Sequence, residues 1–594
     1  LLSLIVCGVI YILRGSLNLS GILGKFDLSR LTGKPESLII KPAKVQGSDR
    51  KARLHIGILL CLFLATIAVG THLSIYNLLT SQSGPVFGAA FTDANVMVPI
   101  LRISVFVYGI ASILALFYGV SGKIVPLLGA IFLTVIVGFA SAIIPSIFQK
   151  LVVAPNELVK ETPFIKYNIA ASHRAYGLDK VEEREIVADK PITAADIAAN
   201  NLTIKNVRLW DRDPLLSTFS QIQEIRTYYE FPSVDNDRYV INNELRQIML
   251  SPRELASNSL PNKNWINERL TFTHGYGVAA GPVNQVTPEG LPVLFVKDLP
   301  PKSEAKELSV KRPEIYYGEI LNDYVLVKTK SKEFDYPKGE ENVYATYKGQ
   351  GGVEINSPLR RLFYSIKFTS LKLFLSSDIT SQSRILYYRS IQERVRKIAP
   401  FLTFDQDPYL VIADGKLYWI MDSYTSTNQY PYSQPLSLNG GPSTLLRVNY
   451  IRNSVKVVVD AYDGNVGFYL SDPNDPIIKT YAKIFPKTFR PLSDMPESLI
   501  SHLRYPQDIF TMQTTIYTTY HMDDPQIFYN KEDQWEIPTT SQDNALQSNE
   551  SEPLMTPRHM IMKLPGEKKE EFILMLPFTP RAKDNLSAWM VARN

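Results

Sequence analysis

The stretch VPILRISVFVYGIASILALFYGVSGKIVPLLGAIFLTVIVGFASAIIPSIF, residues 98–148, decides the organisation of this chain. Its formal charges are Arg102 and Lys123 alone, and the short Ser-Gly-Lys turn at 121–123 separates two apolar runs, 98–118 and 124–148. A helix needs about 20 consecutive apolar residues to span the hydrocarbon core of a bilayer. Each run therefore predicts a membrane-spanning helix.

Two more apolar runs come earlier in the chain. Residues 54–72 are long enough for a third span, whereas residues 1–13 are too short and predict the tail of a truncated span. From residue 150 onward the composition is that of a Tyr-rich, water-soluble protein. The predicted fold class is a multi-pass α-helical membrane region, residues 1–149, followed by a large mixed α/β (α+β) extracytoplasmic region.

The distribution of basic residues predicts the orientation. Loop 14–53 holds nine Lys and Arg residues, which places it on the cytoplasmic side by the positive-inside rule. Alternation of the spans then puts residues 73–97 outside and the turn at 121–123 inside. We therefore expect a multi-pass protein of the cell (plasma) membrane, with residues from about 150 onward extracytoplasmic.

The overall basicity carries no further meaning. Of the 63 Lys and Arg residues 11 lie at or before Lys123, against four of the 58 acidic residues, so the rest of the chain has a net charge near −2. This balance gives no reason to expect a nucleic-acid partner. Both cysteines, Cys7 and Cys61, lie in apolar runs, so a disulfide cannot staple the soluble region.

The soluble region is predicted to form two domains, residues 150–356 and residues 357–594, the second incomplete at its C-terminal end. Two Asp-Gly pairs between apolar runs predict hairpin turns, and an Asp-Pro pair predicts a helix start. Residues 357–399 predict one or two basic amphipathic helices. The hairpin turns lie at 414–415 and 463–464, and the helix start lies at 475–476.

The motifs of common enzyme classes are missing from the sequence. It contains no HExxH, GxSxG, GxxxxGK[ST] or CxxC. We therefore favour a protein that is not an enzyme and predict no organic cofactor.

Asp235 and Asp237 are the candidate metal ligands, because carboxylates two residues apart can both reach one hard cation from a loop. A divalent cation such as calcium is the cofactor that they allow. The alternative is that such aspartates cap a helix or close a turn. His274, hemmed in by small residues in THGYG (273–277), is a candidate general base, with a structural histidine as the alternative.

Arg102 and Asp93 are the candidate functional residues of the membrane region. Arg102 lies about one turn inside a predicted span, where an arginine either extends to the interface or faces the bundle interior. Asp93 lies in the preceding outer loop, close enough in sequence to pair with it.

Several stretches of the sequence together resemble the UPF0182 family of uncharacterised prokaryotic integral membrane proteins. The resemblance implies about seven spans before a large extracytoplasmic region, and additional residues at both ends. It implies no catalytic residues. The stretches are VFGAAFTD (86–93), VAPNEL (153–158), NVRLWD (206–211), THGYG (273–277), VNQVTPEGLP (283–292), YIRNSVK (450–456), LRYP (503–506) and MLPFTPR (575–581).

The leading functional hypothesis is a membrane-anchored envelope protein whose outer region binds, scaffolds or passes on an envelope component. Its expected partners are the lipid bilayer, an envelope lipid or polymer, and further copies of itself in a homo-oligomer. One alternative is an extracytoplasmic, metal-assisted hydrolase or transferase built on Asp235, Asp237 and His274. The other is a transporter component.

Overall fold

The computed structural model describes residues 1–14, 49–186, 191–339, 341–439, 445–540 and 554–593. Most of the predicted cytoplasmic loop 14–53 lies outside these ranges. The chain divides into two compact units. The helical unit comprises Leu1–His173, Gln429–Pro435 and Met522–Glu532, and the sheet unit comprises Arg174–Asn428, Leu436–His521 and Asp533–Asn594. The predicted domain boundary between residues 356 and 357 stays a prediction.

The first helices carry the apolar runs. Three helical stretches of the described residues are long and apolar enough to cross a membrane: Arg50–Thr80, Asp93–Ser121 and Ile124–Tyr176. They contain the three predicted full-length spans. The helices are α1 Leu2–Leu13, α2 Arg50–Asn77, α3 Val98–Ser121, α4 Ile124–Phe148 and α5 Glu157–Tyr176.

Helix α5 was not predicted from the sequence. A π turn, Gln149–Val153, and a 3-10 turn, Ala154–Asn156, carry the chain from α4 into it. Its mean apolar character is low and Pro163 lies inside it, so neither hydropathy nor helix propensity marks it.

Small residues bring α2 and α3 together. A Cβ on Gly57 of α2 would lie 2.7 Å from the Cα of Gly119 on α3, so the two backbones touch at this point. The Ser112 hydroxyl donates to the Cys61 carbonyl at 2.8 Å across the same pair of helices. Glycine contacts and short hydroxyl side chains are the means by which apolar helices associate closely.

The helices of the sheet unit are short, and four of them follow a residue whose side chain caps the helix start: Thr193, Ser357, Ser390 and Asp475. The Asp475 side chain accepts from the backbone N–H of Ile478, as the predicted helix start requires. The helices are α6 Ala194–Ala199, α7 Asn201–Ile204, α8 Arg212–Gln223, α9 Pro358–Lys367, α10 Leu371–Leu375, α11 Ile391–Ile398, α12 Pro476–Ile484, α13 Glu497–Ile500 and α14 Gln507–Tyr520; α15 Pro525–Asn530 belongs to the helical unit.

Two antiparallel-rich sheets dominate the described part of the sheet unit. One has the order β2-β3-β6-β7-β8, and the other has the order β15-β17-β20-β21-β22 with β16 also paired to β17. Their strands are β2 Asp235–Ile241, β3 Glu244–Pro252, β6 Val278–Pro282, β7 Val296–Lys297 and β8 Lys302–Ser303, then β15 Thr403–Phe404, β16 Tyr409–Ala413, β17 Lys416–Thr427, β20 Tyr450–Asp460, β21 Val466–Leu470 and β22 Phe489–Pro491.

Smaller sheets complete this unit. The strand orders are β23-β25-β24 with β26 on β25, β10-β14-β13, and the pairs β1-β4, β5-β9, β11-β12 and β18-β19. Their strands are β1 Tyr229–Glu230, β4 Glu254–Leu255, β5 Gly275–Tyr276, β9 Glu314–Ile315, β10 Val325–Val327, β11 Glu333–Lys338, β12 Glu341–Ala345, β13 Val353–Glu354, β14 Arg384–Leu386, β18 Leu436–Asn439, β19 Leu445–Val448, β23 Trp535–Glu536, β24 Arg558–Met562, β25 Glu571–Pro580 and β26 Ala588–Ala592.

Both predicted hairpin turns are confirmed. Asp414 and Gly415, with φ of 53° and 75°, join β16 to β17, and Asp463-Gly464 joins β20 to β21. Positive φ at both central residues is the geometry that Asp-Gly favours. One apolar core then joins the two large sheets, with Ile248 and Val278 from one sheet and Trp419 from the other.

Candidate functional site

The site begins on strand β2, where Asp235 and Asp237 lie on the same face because side chains alternate along a strand. Both are buried. The Asp237 carboxylate faces the His502 ring, with 2.7 Å between Oδ2 and Nδ1. Its other oxygen, Oδ1, accepts from the Arg238 backbone N–H at 2.8 Å. Asp237 is therefore held as an acceptor on both oxygens.

Asp235 is held differently. Its Oδ2 accepts from the Leu410 backbone N–H at 2.8 Å, whereas its Oδ1 is buried without a hydrogen-bond partner among the described residues. Burial, and secondarily the negative charge of Asp407, raises the pKa of Asp235 to about 7. This carboxyl therefore holds its proton close to neutral pH.

Arg504 joins the strand to a second carboxylate. It donates to the Asn236 carbonyl at 3.0 Å and to Asp407 Oδ2 at 2.7 Å, while its guanidinium stacks 3.8 Å from the Tyr409 ring centroid. The planar fork of arginine can make these contacts together, which a lysine ammonium cannot.

Three more arginines lie around this point and reach the surface. Arg212 pairs with Asp407 at 3.2 Å. Arg208 and Arg558 both approach Asp211 Oδ1, at 2.7 Å and 3.6 Å. We call Arg208, Arg212, Arg504 and Arg558 the arginine cluster. Burial, and then repulsion from Arg558 and Arg212, lowers the pKa of Arg208, as expected where guanidinium groups crowd together.

The arginine cluster is open to solvent. The side chains of Arg212 and Arg558 are 40% and 43% exposed, whereas that of Arg504 is only 4% exposed. Two carboxylates, Asp211 and Asp407, each bridge two arginines, so four guanidinium groups face two bridging acids. These six side chains alone carry a formal charge of +2, with Asp235 and Asp237 close to Arg504 as further acids, and Arg212 and Arg558 are the members that an incoming anion can reach.

Two further acids, the buried Asp405 and the half-buried Asp508, lie close in sequence to Asp407 and Arg504 respectively. Asp405 accepts from the Tyr424 hydroxyl, and from the backbone N–H groups of Asp407 at 2.9 Å and Asp508 at 3.2 Å. Burial, and then repulsion from Asp508, raises the pKa of Asp405 to about 8. The pKa of Asp508 rises to about 6, again chiefly through burial.

The predicted metal site stays a prediction. Among the ranges that the structure describes, no group of three or more His, Cys, Asp and Glu side chains is placed to hold a metal ion. Asp235 and Asp237 do share a strand face, as a joint site would need. Their described partners are a backbone N–H for Asp235, and His502, the Arg238 backbone N–H and the Arg238 guanidinium at 3.6 Å for Asp237.

His274 lies in a separate hydrogen-bonded chain. Its Nε2 is 3.2 Å from Asp335 Oδ1 and its Nδ1 is 2.9 Å from Thr273 Oγ1. The Thr273 hydroxyl donates to Glu333 at 2.9 Å, and Glu333 also accepts from the Tyr316 hydroxyl at 2.7 Å.

The residues of this hydrogen-bonded chain enclose His274. The side chain of His274 is 0% exposed, and among the described residues its polar contacts are with Asp335 and Thr273, not with Asp235 or Asp237. A Cβ on the neighbouring Gly275 would lie 2.4 Å from the Arg253 carbonyl, which explains the small residue at that position. The contacts are those of a packed, internally paired histidine.

In the helical unit, Asp93 is tied to its own loop. It accepts from the Ser83 hydroxyl and from the Ala90 backbone N–H at 2.9 Å. Glu161 on α5 holds the same loop by accepting from the Phe91 N–H at 3.1 Å. Within the described part of this unit, Arg102 and Asp93 form no ion pair.

The arginine cluster and His502 were missed in the sequence. Arg208 and Arg504 lie inside stretches that carry the family resemblance, NVRLWD and LRYP, and that was the available signal. Arg212 and Arg558 offer no local signal, because only folding brings β24 beside the start of α8.

A family model described as "Uncharacterised protein family (UPF0182)" matches residues 1–594. The chain is 49% identical over 547 residues to a UPF0182 protein of Geotalea uraniireducens (strain Rf4), covering 92% of this chain and 59% of the relative. A UPF0182 protein of Geobacter sulfurreducens (strain ATCC 51573 / DSM 12127 / PCA) matches with the same identity and the same shares.

A UPF0182 protein of Pelotomaculum thermopropionicum (strain DSM 13744 / JCM 10971 / SI) is 47% identical over 549 residues, covering 91% of this chain and 58% of the relative. The chain therefore spans about three fifths of the length of the curated relatives it matches. No solved structure matches the chain.

Proposed function

This chain belongs to the UPF0182 family, and we propose that it is a plasma-membrane protein whose outer region binds an anionic envelope component. The component is a lipid or polymer that carries phosphate or carboxylate groups, and the protein scaffolds it or passes it on. The proposed role is binding, and the arginine cluster is the binding site.

The membrane location rests on the outward faces of the apolar helices. Phe106 and Ile113 on α3 are 74% and 68% exposed, and Phe132 and Phe139 on α4 are 63% and 64% exposed. Large apolar side chains in such numbers need a hydrocarbon solvent, because each would otherwise order water at a cost of about 25 cal/mol per Å². The basic loop 14–53 supports an orientation that leaves residues after α4 outside.

Single-cysteine labelling of intact cells tests this orientation. The labelled variants are made in a background in which Cys7 and Cys61 are replaced by Ser. Ile192 is 82% exposed, so Ile192→Cys should react with a membrane-impermeant maleimide. Ser121→Cys, in the turn between α3 and α4, is the matched control and should react only after permeabilisation. The reverse pattern would contradict the proposal.

The binding role is supported by two pairs of arginines, each bridged by one aspartate. They are Arg208–Asp211–Arg558 and Arg212–Asp407–Arg504. Guanidinium groups pair with phosphate and carboxylate through two parallel hydrogen bonds. Arg212 and Arg558, at 40% and 43% exposure, are the members of the cluster whose guanidinium groups a ligand can reach. Asp235, whose pKa burial raises to about 7, is only partly ionised near neutral pH and therefore repels an anion less than an ordinary aspartate does.

Binding of glycerol phosphate to the full chain in zwitterionic nanodiscs tests this role. We expect Arg212→Gln and Arg558→Gln each to weaken binding about tenfold, which corresponds to about 1.4 kcal/mol for one lost charge-assisted contact. Trp210, close in sequence to Arg208 and Arg212, offers a fluorescence signal alongside calorimetry.

The matched control is Arg184→Gln, another exposed arginine in two ion pairs, with Glu182 and Glu567. It should bind as the wild type does. Equal loss in Arg184→Gln, or no saturable binding in the wild type, would refute the assignment. The mass of the nanodisc complex measures the proposed homo-oligomer in the same samples.

A further inference from the structure

Helices α9 and α10 form a hairpin with an uncovered apolar face. Leu359, Phe363 and Ile366 on α9 are 65%, 65% and 67% exposed, and Leu371 and Leu375 on α10 are 73% and 72% exposed. We call these five residues the hairpin patch. The spacing of the α9 residues at i, i+4 and i+7 is that of a helix face built for burial, yet this face points away from the protein.

The hairpin is packed against its own unit, so the exposure of the five apolar side chains does not come from a loosely attached segment. Its inner side packs through Tyr364, Phe368 and the fully buried Leu373 on the cluster formed by Leu326 and Ile385. The tight turn between the helices is closed by the Ser365 hydroxyl, which donates to the Ser370 carbonyl at 2.7 Å. The hairpin therefore has one face buried and a second apolar face that still lacks a partner in the described chain.

The charges on the hairpin itself all have one sign, and the nearest acids in the sequence, Glu354 and Asp378, lie just outside it. Residues 355–377 contain Arg360, Arg361, Lys367 and Lys372 and no Asp or Glu. Arg361 donates to the carbonyls of Ile355 and Ile379, which anchors the hairpin to its own unit. Arg360 and Lys372 are exposed beside the patch.

We propose that the hairpin patch inserts into the surface of an anionic bilayer, with Arg360 and Lys372 against the lipid headgroups. A helix with apolar residues on one face and basic residues beside them binds at the boundary between headgroups and acyl chains. Anionic lipids attract such residues further. This inference is separate from ligand binding at the arginine cluster and shares with the proposed function only the membrane setting.

Charge also separates this partner from a second copy of the chain. A symmetric contact through the same patch would bring two acid-free, basic hairpins together, and like charges facing each other are unfavourable. Anionic headgroups complement the same residues. A bilayer also offers the patch acyl chains, which need no matching shape.

Spin labels on the full chain in nanodiscs test the inference. In the background without Cys7 and Cys61, labels are placed by Phe363→Cys and Leu371→Cys, and the control is Leu586→Cys, a 64% exposed residue in a loop. In nanodiscs with anionic phosphatidylglycerol, we expect the ratio of oxygen to nickel-chelate accessibility to rise several-fold at 363 and 371 relative to 586. In purely zwitterionic nanodiscs the increase in this accessibility ratio should be smaller. The double substitution Arg360→Gln and Lys372→Gln should likewise reduce the increase in anionic nanodiscs.

Three outcomes would overturn the inference. Labels at 363 and 371 as open to the nickel chelate as the control would mean that the patch stays in water. Protection from both oxygen and the chelate would mean that protein covers it, and dipolar coupling between labels would identify a second copy. Insertion of equal depth in anionic and zwitterionic nanodiscs would show that the basic residues do not bind anionic headgroups. Ile366→Cys repeats the measurement if one labelled variant folds poorly.

Discussion

The Nδ1 atom of His502 lies 2.7 Å from Oδ2 of Asp237, although the two residues are 265 positions apart in the chain. Both side chains are buried, and the His502 ring also contacts Tyr239 with 4.7 Å between ring centroids. The contact joins strand β2 to the segment that precedes α14. A buried pair of this kind is costly to break from one side, because the remaining polar group loses its partner.

Removing one member of this pair should destabilise the sheet unit. We expect Asp237→Asn or His502→Phe to lower the free energy of unfolding by about 3–5 kcal/mol, the range for a broken buried pair. Chemical unfolding of the purified chain, followed by tryptophan fluorescence, measures the change.

A double-mutant cycle supplies the check on that prediction. The double variant should cost less than the two single losses added together, since the residues share one interaction. Lys302→Gln, at a side chain that is 73% exposed, should stay within about 0.5 kcal/mol of the wild type. Strict additivity would show that the two residues act independently.

Asp405 should make stability depend on pH. Its pKa of about 8 in the folded protein lies above the ordinary value of 3.8, so the folded state binds this proton more tightly than the unfolded state. Its contribution is present at low pH and is lost as pH rises toward 8. We expect the unfolding temperature of the wild type to fall relative to Asp405→Asn between pH 6.5 and pH 8.

His559 does not contribute to the change between pH 6.5 and pH 8. Burial lowers the pKa of His559 from 6.5 to about 3, so this residue reduces stability only when the pH falls below about 6.5. Asp298→Asn, at a 44% exposed side chain, is the matched control and should show a constant difference from the wild type. A constant difference for Asp405→Asn as well would mean that this carboxyl ionises normally.

Lysine should not replace Arg504. The Arg504→Lys variant keeps the charge but cannot donate to both the Asn236 carbonyl and Asp407 while stacking on Tyr409. We expect a loss of about 1–3 kcal/mol from the unsatisfied buried groups, measured by chemical unfolding. Arg246→Lys, whose partner is the 36% exposed Glu244, serves as the control and should change stability little. Equal stability of the two variants would contradict the prediction.

Close packing of α2 on α3 should depend on Gly57. In Gly57→Ala the new Cβ would lie 2.7 Å from the Gly119 Cα, so the two helices must separate. We expect lower thermal stability in detergent by about 1–3 kcal/mol, the usual cost of overpacking. Gly70→Ala on the same helix meets nothing within 4 Å and should be neutral or slightly stabilising. Similar losses in both variants would mean that helix–helix contact is not the cause.

Local chemistry in the sequence was enough for the elements with strong local signals. The apolar runs predicted the three long helices, Asp414-Gly415 predicted its hairpin, and Asp475-Pro476 predicted the start of α12. Helix α5 was missed because its residues are largely polar and Pro163 interrupts the pattern. The family resemblance was confirmed over the whole chain.

The candidate site was only partly accessible to the same reasoning. Asp235 and Asp237 were singled out as neighbours in sequence, and strand alternation does place them on one face. His502 and Arg558 were not, since their partners lie hundreds of residues away. His274 was linked to the aspartates by residue type alone, whereas folding paired it with Asp335.

The sequence by itself determined which segments are apolar enough to be spans, where chain reversals occur and which family the chain resembles. These follow from properties of adjacent residues: hydropathy, turn geometry and capping. The tertiary structure alone decided that four arginines share two bridging aspartates and that α9 and α10 leave an apolar face open. Those facts depend on which distant strands pack together, and a local pattern of residues cannot specify a contact whose partners the intervening chain keeps far apart until it folds.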